Sequence, residues 1–533
     1  MGRVHPGSCE TGSMAEKEKH PGTLPAGDSR LLARFSLALA LLIPALIAAH
    51  PLANNDLPMH LAVGNWIFEN GQVPKSDPFS STGHGGLWVA HEWLAATLFK
   101  SVESLGHPNF LIALAVLLSA SLGGLLELIQ RSFGVPAFWR LLLLVPVWLA
   151  VGRRLMLRPH LLALNLVLLV WWLTRHGRQS SRWLWVLIPV MTLWANLHGS
   201  FLLGIAYIMG DLCIFSQGHT LPRKQRFMIA GGSFLATLIN PHGAALYLFP
   251  FQLALDPVFT AGVFEWLPPW TAPGFMTTPA AISGIVLVSL AVLGSVLHGW
   301  GTEISGLRGL LKRPGFALSL LAAVTATLLA SRQLRHLALA SLLWAPLIGV
   351  LWTSLKWRIS LSLQKAALAF PVALVLLLSF QGYPAGINAQ GQWRWRSIGS
   401  GWSPQTPVIP IDTLVNQWEV SGVLLCEYEF GGFASYISGG KLRPTMDSRN
   451  TVYTPEFFLA HEAALRGENE ELRKTLTEKA SALLVHPGKP GRRSLELFLK
   501  RSPDWALISW SDSANLWVNR SAVPAKYRSA LPK

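Results

Sequence analysis

The sequence predicts an all-α polytopic transmembrane bundle of about 11–13 helices, followed by a soluble C-terminal α/β domain. Three observations predict it. The chain of 533 residues is 51% hydrophobic and only 14% charged, against about 25% charged in soluble domains, which excludes a soluble enzyme of this length. Acidic residues are uneven: ten of the 28 lie between Leu31 and Phe380, four of those ten within 51–100, and fourteen follow Phe380. Lys and Arg gather in short loops between apolar runs. The formal charge of +16 therefore reads as a topology signal meeting anionic membrane lipids, with no nucleic-acid partner expected.

Taken in order, residues 1–29 are polar and rich in Gly and Pro, the composition of a disordered cytoplasmic leader. Residues 30–380 form the transmembrane part. Leu31–Ala49 is the first span, with Arg30 and Arg34 on its inner side and no small-residue cleavage site, so it reads as an uncleaved anchor. A loop over 50–88 follows. Further apolar segments lie near 90–105, 109–130, 137–152, 160–174, 183–196, 200–215, 227–239, 279–298, 315–330, 336–355 and 366–380. The segment 90–105 is the weakest, because it holds His91, Glu92, Lys100 and Glu103.

Four loops carry twelve basic residues: Arg175/Arg178/Arg182, Arg223/Lys224/Arg226, Arg308/Lys312/Arg313 and Lys356/Arg358/Lys365. The alternating loops carry five. That asymmetry expects a cytoplasmic N-terminus, and loop 50–88 and the tail 381–533 outside. In the tail, Trp393–Trp402 reads as a linker. Short apolar runs at Gly422–Glu429, Lys441–Met446, Ala482–His486, Trp505–Trp510 and Asn515–Asn519 read as strands, and Pro455–Arg466 and Glu468–Ala480 as helices. Cys9, Cys213 and Cys426 are too scattered for a disulfide framework or a metal motif.

The chemistry concentrates in the acidic island after the first span. A long loop between spans is unusual unless it works. Asp56, a few residues past the membrane boundary, suits a general base for an incoming hydroxyl or a ligand for a divalent cation. Asp77 is a second carboxylate for such a cation, or a turn former in Ser76-Asp77-Pro78. His60 is near enough in sequence to Asp56 to relay its proton. Glu92, behind His91, heads an apolar segment where polar groups are costly unless used. These four, Asp56, His60, Asp77 and Glu92, are the catalytic candidates.

A second set punctuates span ends: Arg158-Pro159-His160, Asn196-Leu197-His198-Gly199, Asn240-Pro241-His242-Gly243, and Arg332 with Arg335-His336. All fall on the face expected to carry Asp56, which suggests a shared cavity, although such dipeptides also end helices. His198 and His242 lack metal-ligand spacing. No phosphate loop or Rossmann fingerprint is present, so no nucleotide or redox cofactor is expected. In the tail, Gly431-Gly432 suggests a tight strand-to-helix turn, and Asp447-Ser448-Arg449 a structural turn.

The order of these motifs carries a resemblance. A first span is followed by an Asp, then His60-Leu61-x-x-Gly64-x-Trp66-Ile67, then Pro74-x-x-Asp77-Pro78-Phe79-Ser80, then His91-Glu92-Trp93-Leu94. With the later Asn-x-His-Gly pairs and the tail's Gly-Gly-Phe and Asp-Ser-Arg, this resembles bacterial multi-span proteins of the GT-C superfamily of membrane glycosyltransferases, which also holds protein mannosyltransferases and aminoarabinose transferases. The resemblance implies a GT-C-like bundle in the bacterial cytoplasmic membrane, a polyprenyl-phosphate-linked sugar donor, and a glycan, lipid or protein acceptor on the outer face. The superfamily's first-loop acid maps onto Asp56. Many relatives carry two adjacent acids there, where this chain has Asn55. On that footing Asp56 is the base; Arg158, Arg332 and Arg335 meet the phosphate; His91, His160, Asn196, His198, Asn240, His242, Glu265 and His336 hold substrate. The rival readings are a transporter or flippase of a lipid-linked saccharide, and a non-catalytic envelope assembly protein.

Overall fold

The computed structural model describes residues 26–83, 85–258, 263–300, 309–355, 360–387 and 392–532. Most of the expected leader, with Cys9, and the loop cations Arg308, Lys356 and Arg358 lie outside the described residues.

The N-terminal body is built of apolar helices. Among the described residues, five segments are long and apolar enough to cross a membrane: Arg30–Ala48, Asn109–Ser132, Pro279–Leu297, Leu334–Ser354 and Ser362–Phe380. Two shorter apolar helices, Phe201–Ile214 and Phe316–Arg332, stand beside them. The helices that matter below are α1 (Ala26–Ala48), α2 (Leu57–Asn70), α3 (Trp93–Glu103), α4 (Asn109–Ser132), α5 (Ala137–Val151), α6 (Pro159–Gly177), α7 (Leu187–Leu197), α8 (Phe201–Met209), α9 (Arg223–Ala236), α10 (Ala245–Leu255), α11 (Pro279–Trp300), α12 (Phe316–Arg332) and α13 (Leu337–Ser354). The weak segment 90–105 is α3, whose 11 residues fall well short of the roughly 20 that a span requires.

Packing is close. Gly123 of α4 lies against α1, where an added Cβ would fall 1.9 Å from the Ala40 carbonyl oxygen. Trp148, Trp171 and Trp194 are fully buried. The Trp171 indole satisfies its N–H on Ser319 Oγ at 3.0 Å, so its burial leaves no polar atom stranded. Glu127, fully buried, accepts from Ser36 at 3.1 Å and pairs with Arg131 and Arg140 at 2.9 and 3.0 Å, binding α1, α4 and α5 together.

The body is not purely helical. Strands β1 (Tyr383–Ile387) and β2 (Trp393–Arg396) form an antiparallel hairpin pairing Tyr383 with Arg396 and Ile387 with Trp393. The start of the expected linker is therefore a strand, and its cause is visible: Trp393-Arg394-Trp395-Arg396 alternates with period two. The Tyr383 hydroxyl donates to the Leu149 carbonyl at 2.9 Å, seating the hairpin on the end of α5.

The tail sheet runs β4-β3-β5-β7-β6, from β3 (Gly422–Cys426), β4 (Leu442–Pro444), β5 (Ala482–Val485), β6 (Trp505–Ser509) and β7 (Asn515–Asn519). β3 pairs in parallel with β4 and β5; β7 is antiparallel to β5 and β6. After β3 the chain turns into α14 (Gly431–Ile437). Its two glycines permit close approach on both sides. A Cβ at Gly431 would lie 2.0 Å from the Met446 carbonyl oxygen, and one at Gly432 only 3.1 Å from Met59 of α2.

α2 was not expected inside the loop 50–88, although Pro58 in its first turn and a left-handed Gly71 (φ 65°) closing its end are ordinary start and stop signals. The same loop is clasped to the tail. Asp77, 1% exposed, pairs with Arg449 at 2.7 Å. Arg449 in turn grips Asp447 through Nε (2.9 Å) and Nη2 (2.6 Å). Its guanidinium lies over the rings of Phe79 and Trp88, at 5.0 and 4.7 Å. Ser81 and Thr82 donate to the carbonyls of Pro444 and Thr445.

Candidate functional site

The tail-side end of the bundle gathers two polar clusters. The first is built on the turn between α5 and α6. Asn54 donates to the Leu157 carbonyl at 3.0 Å and accepts the Asp56 N–H at 3.0 Å, which fixes Asp56 at the head of α2 beside that turn. Arg158, extended ahead of Pro159 at the start of α6, pairs with Asp56 and, through Nη1, with Glu265 at 2.8 Å. Arg154 takes the other Glu265 oxygen at 2.5 Å. His160 donates from Nε2 to the Arg154 carbonyl at 2.7 Å, holding that turn closed.

The hub is the single helical turn Phe264–Trp266. Each of its three residues faces an arginine. Arg153 stands over Phe264 at 5.7 Å, Glu265 holds Arg154 and Arg158, and Arg335 lies flat on Trp266 at 3.7 Å. The hairpin supplies a fifth guanidinium, Arg396, whose Nη1 donates to the Arg153 carbonyl at 3.4 Å and which feels the charges of Glu265 and Arg154. Burial alone would push the Glu265 carboxyl up; Arg154, Arg158 and His160 outweigh it and hold it well below the usual carboxylate range. Five guanidiniums thus surround two carboxylates, a strongly anion-seeking arrangement.

The second cluster centres on Glu92, at the head of α3. Three imidazole Nε2 atoms converge on its carboxyl group: His60 at 3.6 Å, His91 at 3.7 Å and His198 at 3.5 Å. Burial pushes Glu92 up to about 8 and the histidines down, His60 and His198 to about 3 and His91 to about 4. The group is therefore neutral near pH 7. His198 accepts the Ser200 N–H on Nδ1 at 3.0 Å, which leaves its Nε2 proton facing Glu92. His60 sits one turn beyond Asp56 on α2, and His198 feels the charges of Arg335 and Arg154, so the clusters adjoin. Beside Glu92 a groove of about 740 Å³ opens between α3, α7 and the end of α9, with apolar walls from Trp93, Leu94, Pro189, Leu193, Leu238 and Ile239.

Other expected site residues go elsewhere. Asn196 is a staple: its Oδ1 accepts from Trp93 Nε1 at 2.9 Å and its amide donates to the Thr192 and Ile239 carbonyls at 2.8 Å each. Asn240 caps its own turn, accepting the His242 N–H at 2.8 Å. His242, on the same turn, instead borders the Glu92 cluster: it is half-buried, bonds the Ala90 backbone and acts on His91, and burial lowers its pKa. Arg332 ends α12 exposed to solvent. His336 follows Arg335 at the head of α13. Asp77 belongs to the clasp with Arg449, apart from Asp56. A cation shared by Asp56 and Asp77 therefore does not fit, since each carboxylate faces its own guanidinium. Among the described residues no group of three or more His, Cys, Asp and Glu is placed to hold a metal ion.

Sequence reasoning passed over Arg153, Arg154 and Arg396 as site residues. For Arg153 and Arg154 the signal is an exception to charge asymmetry, since both stand at a span end on the side expected to be poor in basic residues; Arg396, in the hairpin, carries no such signal.

Neither a family model nor a curated protein sequence matches this chain. Solved structures do. An archaeal oligosaccharyltransferase, AglB from Archaeoglobus fulgidus in complex with an inhibitory peptide and a dolichol-phosphate, matches with a TM-score of 0.59 at 11% identity, over 86% of this chain and 69% of that one. An Archaeoglobus fulgidus oligosaccharyltransferase in its apo form matches with a TM-score of 0.51 at 12% identity, over 84% and 69%. At such identities the likeness is one of fold: this chain shares its fold with these archaeal oligosaccharyltransferases.

Proposed function

We propose that the protein is a membrane glycosyltransferase that takes its sugar from a polyprenyl-phosphate-linked donor and passes it to a glycan, lipid or protein acceptor on the outer face of the bacterial cytoplasmic membrane. The observation that carries this reading is the cluster of five arginines around Glu265, one of them paired to Asp56, at the tail-side end of the spans, with an apolar groove beside the adjoining Glu92 cluster. An amphipathic donor with an anionic head and a prenyl tail needs that combination. The fold agrees, and the AglB relative in fold was captured with a dolichol-phosphate.

In this reading the donor phosphate draws on Arg158 and releases the Asp56 carboxylate that Arg158 otherwise holds. Asp56 takes the proton of the acceptor hydroxyl. The acceptor oxygen bonds to the anomeric carbon as the bond from that carbon to the phosphate oxygen breaks, and the electron pair leaves on the phosphate. The guanidiniums stabilise the charge growing there. Glu92, neutral near pH 7, donates a hydrogen bond to a sugar hydroxyl rather than acting as the base. No step is routed through a metal.

The test is transfer from a labelled polyprenyl-phosphate sugar by purified protein. Asp56→Asn keeps shape and removes charge, and it should slow transfer at least about a hundredfold while donor binding stays near normal. Wild-type transfer by this variant would remove Asp56 from the mechanism.

A further inference from the structure

The end of the bundle away from the Glu92 cluster has a basic site of its own. α9 begins Arg223-Lys224-Gln225-Arg226 and runs for 14 residues, roughly 21 Å, before the chain reaches Ile239, whose carbonyl meets Asn196. Its head therefore lies most of a helix length from the proposed transfer site. Its first turn holds no acidic residue and no side chain caps it. Arg223 and Lys224 are exposed, and among the described residues no ion pair engages them or Arg226. Arg226 donates from Nη1 to the Leu212 carbonyl at 3.0 Å, while its buried Nε has no hydrogen-bond partner among the described residues. The carboxylate beside Leu212, Asp211, is already taken by Arg178 and by His219.

The same place is apolar on its membrane side. A cavity of about 650 Å³ is lined by Arg223, Lys224, Phe227 and Met228. Phe227 and Met228 are exposed, and so are Phe234, Leu235, Leu238 and Ile239. Those positions recur every one to two turns, which places them on one face of α9 and its continuation. Gly231, between them, has open space where a Cβ would stand.

We infer that the head of α9 binds the headgroup of an anionic phospholipid of the bilayer, with the acyl chains lying along the apolar stripe of the same helix. The phosphodiester accepts from Arg223, Lys224 and the free N–H groups of the first turn. A free anion would use the cations and leave the stripe idle. A zwitterionic headgroup would bring an ammonium among three cations that have no carboxylate to offset them. A basic pocket beside a span is the arrangement that suits an anionic lipid.

Full-length protein in detergent micelles should be offered dioleoylphosphatidylglycerol and dioleoylphosphatidylcholine, which share their chains and differ in headgroup, with retained lipid read by native mass spectrometry. The wild type should hold the phosphatidylglycerol at least about tenfold more tightly, since each cation near an anionic headgroup is worth roughly fivefold. The double variant Arg223→Gln with Lys224→Gln should lose most of that preference, and Arg223→Lys should keep most of it. Lys312→Gln with Arg313→Gln is the control: both residues are exposed in the loop whose Pro314 carbonyl accepts from Arg175 at the same end of the bundle, so it removes two charges without touching the cavity. It should leave the preference nearly intact. Equal losses in the two double variants would reduce the site to diffuse charge and overturn the inference. Displacement of the lipid by millimolar inorganic phosphate, or equal retention of both lipids by the wild type, would also overturn it.

Discussion

Glu92 carries the sharpest consequence at the scale of single residues. Its carboxyl is raised to about 8 by burial, so the folded protein keeps a proton that an unfolded chain gives up near its ordinary value of 4.5. The folded state then binds more protons than the unfolded one, and stability falls as pH rises across that window. His60, His91 and His198 work the other way, because their neutral folded forms add stability as pH rises toward their ordinary 6.5. The histidine effect continues above pH 6.5, because at that pH an unfolded imidazole is still half protonated, so the Glu92 effect is read as the difference between the wild type and Glu92→Gln. Between pH 6.5 and 8 the wild type should lose on the order of 1–2 kcal/mol relative to Glu92→Gln; thermal unfolding of both proteins in detergent at several pH values reads this. A difference that stays constant over that range would contradict the buried neutral Glu92. Asp56, Arg158 and Glu265 were legible in the sequence because charges at span ends are costly and rarely idle. Asn196 and Asn240 have the same look but spend their amides on nearby backbone, a difference that only coordinates reveal. Arg396 was hidden because Trp-Arg-Trp-Arg after a span reads equally well as an interfacial linker.

Among the elements, α14 and α2 decide how the tail meets the site. A side chain at Gly432 would crowd Met59, whose Cβ and backbone N lie 3.1 Å from an added Cβ. Gly432→Val should cost about 1–3 kcal/mol through overpacking and expose the tail to limited proteolysis at a lower temperature than the wild type. Unchanged cleavage would mean that α14 can slide without loss. The tail strands were readable because each is a short apolar run between turn residues, and that pattern survives any tertiary arrangement. α2 was not, because its apolar content is interrupted by Asn65 and followed by Glu69, and the island's carboxylates drew the eye to loop chemistry. The clasp joining Asp77 to Arg449 spans more than 370 positions of sequence, and no local pattern encodes a pairing that distant.

For the whole molecule, the charge asymmetry sets an orientation that an experiment can read. A reporter active only in the cytoplasm, fused after Lys533, should stay silent, and strong signal would move the entire site to the inner face. That site also has a history in time. Loop 50–88 leaves the ribosome early with Asp56, and Glu92 follows directly, whereas the hairpin arginine Arg396 and the clasp arginine Arg449 emerge only after the apolar helix Ser362–Phe380. A nascent chain that has threaded all its helices still lacks a fifth of the guanidinium ring and the fastening of its first loop. Every interrupted translation product that reaches the bilayer without its tail is thereby left with an anion site that lacks Arg396 and a first loop that lacks its clasp.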